Sequence, residues 1–417
     1  MSKRRPRAGR HTRLMATTST RRGLGAPFRL LFLASTGSNL GDGVLLAAIP
    51  LLARRLSDDA LAVSSVTVAA TLPWLLFGLA AGAIVDRVDR ARLMVHADAL
   101  RTVGLALFAL FIATSGATLP LIIAMVFVLG AAETLCDTAA QAVLPALVDT
   151  DQLERANGRL FGAQIATNGF IGPPLGAMLF AAGTVLPFGF DAATFALSAI
   201  LLARLPSRRH GVPPAARETT LLKEVVEGLA WLWHHRGIRA FAVGAAVVNL
   251  AHMGAMAVIV LLVRDELGAD ELAFGLVLAG AAAGSIIGSQ LASDAVHRLG
   301  RQNAVLASIA TFSLALLGVG LAPNTIAAAL GLAAFGLAGE VWNVVAVSYR
   351  QAIIPDVLLG RVMATYRVIA YGAMPIGAAV GGLTAKVLGV RATFVVGAVA
   401  VAALFIYFVA HPPAESS

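Results

Sequence analysis

The sequence predicts an all-α membrane protein of twelve transmembrane helices, arranged as two pseudo-symmetric six-helix bundles. Hydrophobic residues make up 58% of its 417 residues and charged residues only 13%, whereas soluble domains carry about 25% charged residues. The chain also contains twelve mostly apolar runs, each long enough to cross a bilayer as a helix of about 20 residues. Finally, the second half of the chain repeats the pattern of the first.

The apolar runs are separated by short polar, Gly-containing or Pro-containing stretches such as SGATLP and LAPNT. A transmembrane β-barrel would instead show alternating segments of about ten residues, a pattern that this sequence lacks. We therefore expect one helix over each run, with the bounds 28–53, 62–85, 93–114, 118–142, 157–182, 185–204, 239–263, 272–293, 303–322, 325–349, 362–386 and 390–410.

The positive charges lie mostly on one side of these spans. Nine Lys and Arg residues fall within residues 1–30, and no acidic residue accompanies them. With this tail in the cytoplasm, inside segments carry 25 of the 32 Lys and Arg residues, and outside loops carry five. This bias is the positive-inside rule, which predicts a multi-pass plasma-membrane protein with both termini cytoplasmic. The net charge of +9 is then a matter of topology. It predicts no nucleic-acid partner, although the tail could touch anionic membrane lipid.

An internal repeat with a period near 210 residues organises the chain. Asn39 matches Asn249 and Asp42 matches His252, both at a separation of 210. The stretch QAVLPALVD at 141–149 matches QAIIPDVLL at 351–359 in the same register. Two six-helix halves in parallel relation are typical of transporters whose central site lies at the repeat interface near the bilayer midplane.

The repeat and the spans together predict the domain organisation. The stretch between the halves begins with Pro and Arg residues and ends in a segment of helical spacing that suits the membrane interface. The predicted parts are a disordered basic tail at 1–27, a first half at 28–204, a cytoplasmic linker with an amphipathic helix at 205–238, a second half at 239–410 and a short tail at 411–417.

The stretch GLAAGAIVDRVDRARL at 78–93 resembles the signature loop of the major facilitator superfamily, and the resemblance extends from Phe28 to Ala410. Gly82, Asp86, Arg87 and Arg90 fit the pattern. The resemblance implies the major facilitator fold, with a charge clamp that holds one access state and breaks as the halves rock. A plain cytoplasmic anchor that obeys the positive-inside bias is the alternative for this loop.

Three further stretches, NLGDG, LPALVDTDQLERANG and FDAATF, resemble the enterobactin-exporter-like and macrolide-efflux-like branch of that superfamily. Gly172, Pro173 and Gly176 in span five partly resemble a helix-five signature of drug–proton antiporters, although such residues also serve simply to bend and pack membrane helices. Many antiporters carry an Arg within span four, which here is absent. Coupling through such an Arg is therefore not expected.

Polar side chains inside apolar spans are the candidate site residues, because a carboxylate at the bilayer centre costs about 2.5–3.5 kcal/mol on insertion scales. Asp42 should therefore face a central cavity, where it could bind a proton, bind a substrate cation or hydrogen-bond to a neighbouring helix. Glu133 and Asp137 are one turn apart on span four. The full set of predicted cavity residues is Asn39, Asp42, Glu133, Asp137, Asn249, His252, Glu340 and Asn343. We expect Asp191, in contrast, to cap the outer end of span six.

No motif for catalysis, ATP binding or metal binding accompanies these residues, and the single cysteine, Cys136, excludes an intrachain disulfide. We predict no enzyme activity and no cofactor. The leading hypothesis is a secondary active transporter, a proton-coupled exporter of small amphipathic or cationic compounds that acts as a monomer by alternating access. A nutrient importer or facilitator, and a receptor or scramblase on the same frame, are the alternatives.

Overall fold

The computed structural model describes residues 24–85, 87–205 and 221–410, and throughout these ranges helices are the regular structure. Short loops and helical turns connect the helices, so that each span is followed closely by the next. The α-helices are α1 Gly25–Leu56, α2 Ala60–Val85, α3 Arg90–Ser115, α4 Leu119–Val143, α5 Leu153–Gln164, α6 Gly172–Ala182, α7 Leu186–Leu202, α8 Leu221–His234, α9 Arg236–Leu261, α10 Glu271–Leu299, α11 Arg301–Gly320, α12 Thr325–Ile353, α13 Asp356–Leu388 and α14 Val390–Ala410.

Eleven helical segments in the described ranges are long and apolar enough to cross a membrane. One of them combines α5 and α6, which a π-helical segment, Ile165–Ile171, joins into a single rod. The predicted sixth span corresponds to α7, a shorter apolar helix of 17 residues. The predicted all-α membrane fold is thus confirmed, with α7 as its shortest crossing.

The first helix begins earlier than predicted, at Gly25 instead of residue 28. Pro27 lies in its first turn, where a missing N–H costs nothing because those donors have no partner inside the helix. Leu24 and Phe28 are buried and fix this end of the helix against the bundle. The predicted tails and the first part of the linker fall mainly in residues 1–23, 206–220 and 411–417, which lie outside the described residues.

The repeat is visible in the helix boundaries. Helices α9, α10 and α11 begin 211 residues after α1, α2 and α3, respectively. Because α1 to α7, with α5 and α6 as one rod, make six crossings and α9 to α14 make six more, α1 starts on the side where α14 ends. We call this the terminal side of the protein and the opposite one the distal side.

The helices pack as two bundles that meet along two seams. In the first bundle, α1 contacts α6 and α7, α2 contacts α4, and α3 contacts α4 and α7. In the second, α10 contacts α12, α9 contacts α13, and α11 contacts α12 and α14. Between the bundles, α2 packs against α13 and α6 packs against α10. Between these seams, α1 and α9 contact each other across the interior between the bundles.

Helix α8 lies outside the spans and packs on the second bundle, against α13 and α9. Glu227 accepts a hydrogen bond of 2.6 Å from Arg361 of α13, while Gly228 and Leu232 lie on the face turned to the bundle. The opposite face of α8 exposes Val226 and Trp233. One face of α8 therefore packs against the second bundle, and the other exposes apolar side chains, as in an interfacial helix.

Candidate functional site

A cavity of about 610 Å³ lies between the two bundles. The first bundle lines it with residues of α1, α2, α4 and the α5–α6 rod, and the second bundle with residues of α9 and α10. Most of the lining side chains are apolar. The polar and ionisable lining residues are Asp42, Thr67, Thr71, Glu133, Gln164, Asn168, His252 and Ser285.

Asp42 reaches the cavity because glycines on either side bring α1 close to its neighbours. A Cβ on Gly41 would overlap the carboxyl group of Asp191 on α7, and a Cβ on Gly43 would overlap the backbone of Asn168. The backbone of α1 is thereby held between α7 and the π-helical segment. Asp42 itself lines the space between the bundles.

The two carboxylates of α4 do not share one environment. Glu133 lines the cavity, whereas Asp137, one turn further along, is absent from the lining. Asp137 is half-buried and interacts electrostatically with Glu133, Arg101 and Asp98. It therefore belongs to the interior of the first bundle.

Asn249 and His252 on α9, which repeat Asn39 and Asp42, also lie in different environments. His252 lines the cavity, and its ring stacks on Phe335 of α12 at a centroid distance of 4.6 Å. Its Nδ1 atom is buried and has no hydrogen-bond partner among the described residues. Asn249 instead donates a hydrogen bond of 2.8 Å from Nδ2 to the carbonyl oxygen of Ala370, which ties α9 to α13.

The other predicted cavity residues lie elsewhere. Asn39 donates from Nδ2 to the carbonyl oxygen of Ser35, one turn earlier in its own helix, at 2.7 Å. Glu340 lies where α10 and α12 pack against each other within the second bundle, and a Cβ on Gly288 would approach its Cβ to 3.1 Å. Asn343 is exposed. The structure thus brings Asp42, Glu133 and His252 together, but not these three.

The glycines of the helix-five motif serve close packing. A Cβ on Gly172 would lie 2.5 Å from the Cα atom of Gly43, and a Cβ on Gly176 would overlap the carbonyl oxygen of Val44. Pro173 between them lines the cavity, and its carbonyl oxygen lies against Gly275 of α10. The motif therefore fixes the rod against α1 and contributes one wall of the cavity.

The predicted gating loop between α2 and α3 is described in part. Asp86 lies outside the described residues. Arg90 donates from Nη1 to the carbonyl oxygen of Ala142 at 2.7 Å, which joins the start of α3 to the end of α4. Arg87 is exposed, and a Cβ added to Gly82 would meet no atom of the described residues within 4 Å. The charge clamp stays a prediction.

Asp191 does not cap a helix end, which corrects the prediction for this residue. Helix α7 begins at Leu186, and Pro187 occupies its first turn, so that Asp191 lies in the second turn and is completely buried. Its Oδ1 atom accepts a hydrogen bond of 2.9 Å from Thr194. The sequence FDAATF resembles a helix start, but the helix begins one turn before it.

Sequence reasoning also missed a buried ion pair on α3. Asp98 and Arg101 are 2% and 3% exposed, with Arg101 Nη1 at 3.8 Å from Asp98 Oδ1. Their spacing of three residues, which puts both on one helix face, was the available signal. Cys136 and Ser198, the hydrogen-bond donors to Asp98, come from α4 and α7. The sequence around Asp98 gives no sign of these partners.

Ion pairs join the two bundles on the distal side. Arg54 at the end of α1 donates from Nε to both carboxylate oxygens of Asp265, at 2.9 and 2.7 Å. Lys386 at the end of α13 donates to Asp59 at 2.6 Å. This hydrogen bond lowers the pKa of Asp59, a loop residue. Both pairs bridge the bundles and close the distal end.

The contacts of the helical seams extend this closure toward the middle of the protein. A Cβ on Gly382 of α13 would overlap Ser64 of α2, and a Cβ on Gly275 would lie 2.6 Å from the carbonyl oxygen of Pro173. At mid-height, Trp74 and Tyr371 meet edge to face with ring centroids 6.1 Å apart. The bundles are therefore in contact from the distal end to the level of the cavity.

Known proteins of similar sequence are transporters. The chain is 27% identical to the multidrug efflux pump Tap of Mycolicibacterium fortuitum over 389 residues, which cover 90% of this chain and 93% of the relative. It is 24% identical to macrolide efflux protein A of Streptococcus pyogenes over 374 residues, which cover 88% of this chain and 91% of that protein.

Solved structures share the fold at low sequence identity. A mutant form of the nucleoside transporter NupG superposes with a TM-score of 0.77 at 11% identity, covering 92% of this chain and 99% of its own. A bacterial homologue of the iron transporter ferroportin in an inward-facing state gives a TM-score of 0.71 at 17% identity, covering 92% and 98%. Residues 24–417 match the family described as transmembrane secretion effector, and the chain therefore belongs to this transporter family of the major facilitator superfamily.

Proposed function

We propose that this transporter is a proton-coupled exporter of small amphipathic or cationic compounds and works by alternating access. The observation that carries the proposal is the cavity itself, in which Asp42 and Glu133 are the carboxyl groups in an otherwise largely apolar wall. Apolar walls bind lipophilic molecules of varied shape, and a carboxylate attracts a positive charge strongly where water is scarce. The names of the relatives, a multidrug pump and a macrolide efflux protein, support the same class of solute.

The two carboxylates allow a proton to be exchanged for a solute cation. A group that binds a proton and a solute cation in turn returns to its starting state after each cycle. Closure of the distal end by Arg54 and Lys386 supports a state whose cavity is reached from the terminal side. By the positive-inside rule the terminal side is cytoplasmic, so the solute enters from the cytoplasm and the proton from outside. We propose a monomer in the plasma membrane as the working unit.

The experiment is transport in proteoliposomes with an imposed pH gradient. The probes are ethidium as an amphipathic cation and erythromycin as a macrolide. Proton-coupled export predicts that the gradient drives accumulation of at least one probe and that Asp42→Asn abolishes this accumulation. The control is Asp294→Asn on α10, a carboxyl group that does not line the cavity. Movement that is equal with and without the gradient would overturn the coupling, and failure to transport either probe would overturn the solute class.

A further inference from the structure

A buried charge cluster lies behind the cavity, inside the first bundle. Its centre is Arg101 of α3, whose guanidinium lies 4.7 Å from the ring centroid of Phe195 on α7. Its ion-pair partner Asp98 also accepts hydrogen bonds from Ser198 Oγ at 2.6 Å and from Cys136 Sγ at 3.5 Å. The carboxylate of Asp98 thus has partners besides Arg101.

Arg101 itself is left with donors to spare. Its Nε and Nη2 atoms are buried and have no hydrogen-bond partner among the described residues. A guanidinium keeps its charge and carries five N–H donors, and buried donors without acceptors are costly. The 3.8 Å contact with Asp98 uses little of this capacity. The geometry therefore leaves Arg101 ready for a second acceptor.

Carboxyl groups from the neighbouring helices supply candidates. Arg101 interacts electrostatically with Asp42 of α1, Glu133 of α4 and Asp98 of its own helix. The other titratable groups around the cluster are Cys136 and Asp137 of α4 and Asp191 of α7. Among the described residues, Arg101 thus interacts with five carboxyl groups, of which Asp98 and Asp191 are buried and the other three half-buried. Several carboxylates therefore compete for one guanidinium.

The second bundle carries apolar side chains at the equivalent position. Helices α3 and α11 begin 211 residues apart, which puts Ile309 and Phe312 at the places of Asp98 and Arg101. Both are buried, and the ring of Phe312 packs on that of Phe335 with centroids 4.6 Å apart. Apolar side chains therefore fill the equivalent site, and replacing buried ion pairs by apolar residues is often neutral or stabilising. The same bundle architecture thus accommodates apolar side chains at this position in the second half.

We propose that Arg101 is a switching counter-ion, a positioning residue that pairs with Asp98 while Asp42 is protonated and turns toward Asp42 when the proton leaves. Asp42 is the group that joins the two sites, because it lines the cavity and directly follows Gly41, whose backbone packs on the carboxyl group of Asp191 in the cluster; its charge interacts with that of Arg101. Release of a proton from Asp42 then changes the pairing between α1 and α3, and a solute cation at Asp42 competes with Arg101 for the same carboxylate. This inference rests on the proposed function and gives it an internal mechanism.

The first test needs no solute. Spin labels at Ser115→Cys and Leu321→Cys, which are exposed distal ends of α3 and α11, report the separation of the bundles by pulsed electron resonance. We expect the distance distribution of the parent protein to shift between pH 8 and pH 5. Arg101→Gln should abolish this shift, and Arg101→Lys, which keeps the positive charge, should retain it.

A matched control copies the second bundle. The double variant Asp98→Ile with Arg101→Phe should fold, with a melting temperature in detergent close to that of the parent, yet show no shift with pH. A loss of folding in both this variant and Arg101→Gln, with Arg101→Lys intact, would mean that the cluster only supports the bundle and would overturn the inference.

Transport separates this inference from the proposed function. If the pH gradient drives ethidium accumulation and Asp42→Asn abolishes it while Arg101→Gln does not, the counter-ion role is wrong and the exporter stands. If the parent protein shows no gradient-driven flux, the exporter itself is wrong. Loss of gradient-driven flux in Arg101→Gln, with downhill ethidium flux within about twofold of the parent rate, is the result that supports both.

Discussion

Removal of the Arg54 side chain should weaken the closure of the distal side. Arg54 is 26% and Asp265 37% exposed in their side chains, and two hydrogen bonds join them. Partly exposed ion pairs contribute about 0.2–1 kcal/mol, and the two-oxygen geometry puts this pair near the upper value. A loss of about 1 kcal/mol corresponds to a roughly fivefold change in the equilibrium between distal-closed and distal-open states. Arg54→Ala should therefore raise the distal-open population about fivefold.

The assay is alkylation of Ile49→Cys, a residue of α1 that lines the cavity, by a membrane-impermeant maleimide added outside intact cells. When opening is fast, the labelling rate follows the open population, so Arg54→Ala should label about fivefold faster. The exchanged pair Arg54→Asp with Asp265→Arg should return the rate toward that of the parent.

Asp58 supplies a control, because it contacts Arg54 from the same bundle and its side chain is 88% exposed. Asp58→Ala should leave the labelling rate within a factor of two. The reasoning fails if Arg54→Ala labels at the parent rate, or if Asp58→Ala accelerates labelling as much as Arg54→Ala does.

Two further predictions concern packing and pH. Gly176→Ala should lower the melting temperature in detergent, with a loss of about 1–3 kcal/mol, because its Cβ would overlap the backbone of Val44; Gly318→Ala, which meets no atom within 4 Å, should not. The Lys386 bond lowers the pKa of Asp59, so its stabilisation is complete above the ordinary aspartate pKa and is lost as pH falls through the lowered value. The difference in melting temperature between the parent and Asp59→Asn should therefore stay constant from pH 8 to pH 5 and vanish in stronger acid.

The fold could be predicted from composition and the repeat because both signals can be read from short stretches of sequence. An apolar run of about 20 residues has one stable arrangement in lipid, a helix, and the common register of the two halves appears directly in helices that start 211 residues apart. The exact start of α1 was missed because the apolar run begins near Phe28, whereas the helix already begins at Gly25 with a proline in its first turn. The length of α7 was overestimated because its flanking residues are also apolar.

The site could be predicted only for residues whose position within a single helix already indicates that they avoid lipid. A carboxylate in the middle of a span must avoid lipid, which was sufficient to select Asp42 and Glu133. It was not sufficient to say which neighbour each side chain meets. Asp191 and Arg101 depend on contacts among α1, α3, α4 and α7, and no local pattern encodes these. Likewise, Asn343 shares a helical side with Glu340, but the rotation of about 60° between them is enough to leave it exposed.

The π-helical segment Ile165–Ile171 sets the rotational phase between the two ends of span five. A wider turn holds an additional residue, and in a continuous α-helix each residue corresponds to about 100° of rotation. Because the additional residue is contained within this wider turn, deletion of one residue from the segment would restore an unbroken α-helix and leave Leu153–Gln164 close to its present rotation, while Gly172 and Gly176 stay seated on α1. A deletion of one residue within α5, outside this segment, would instead turn the part of α5 that precedes it by about 100° and so change which side chains span five presents to a passing molecule.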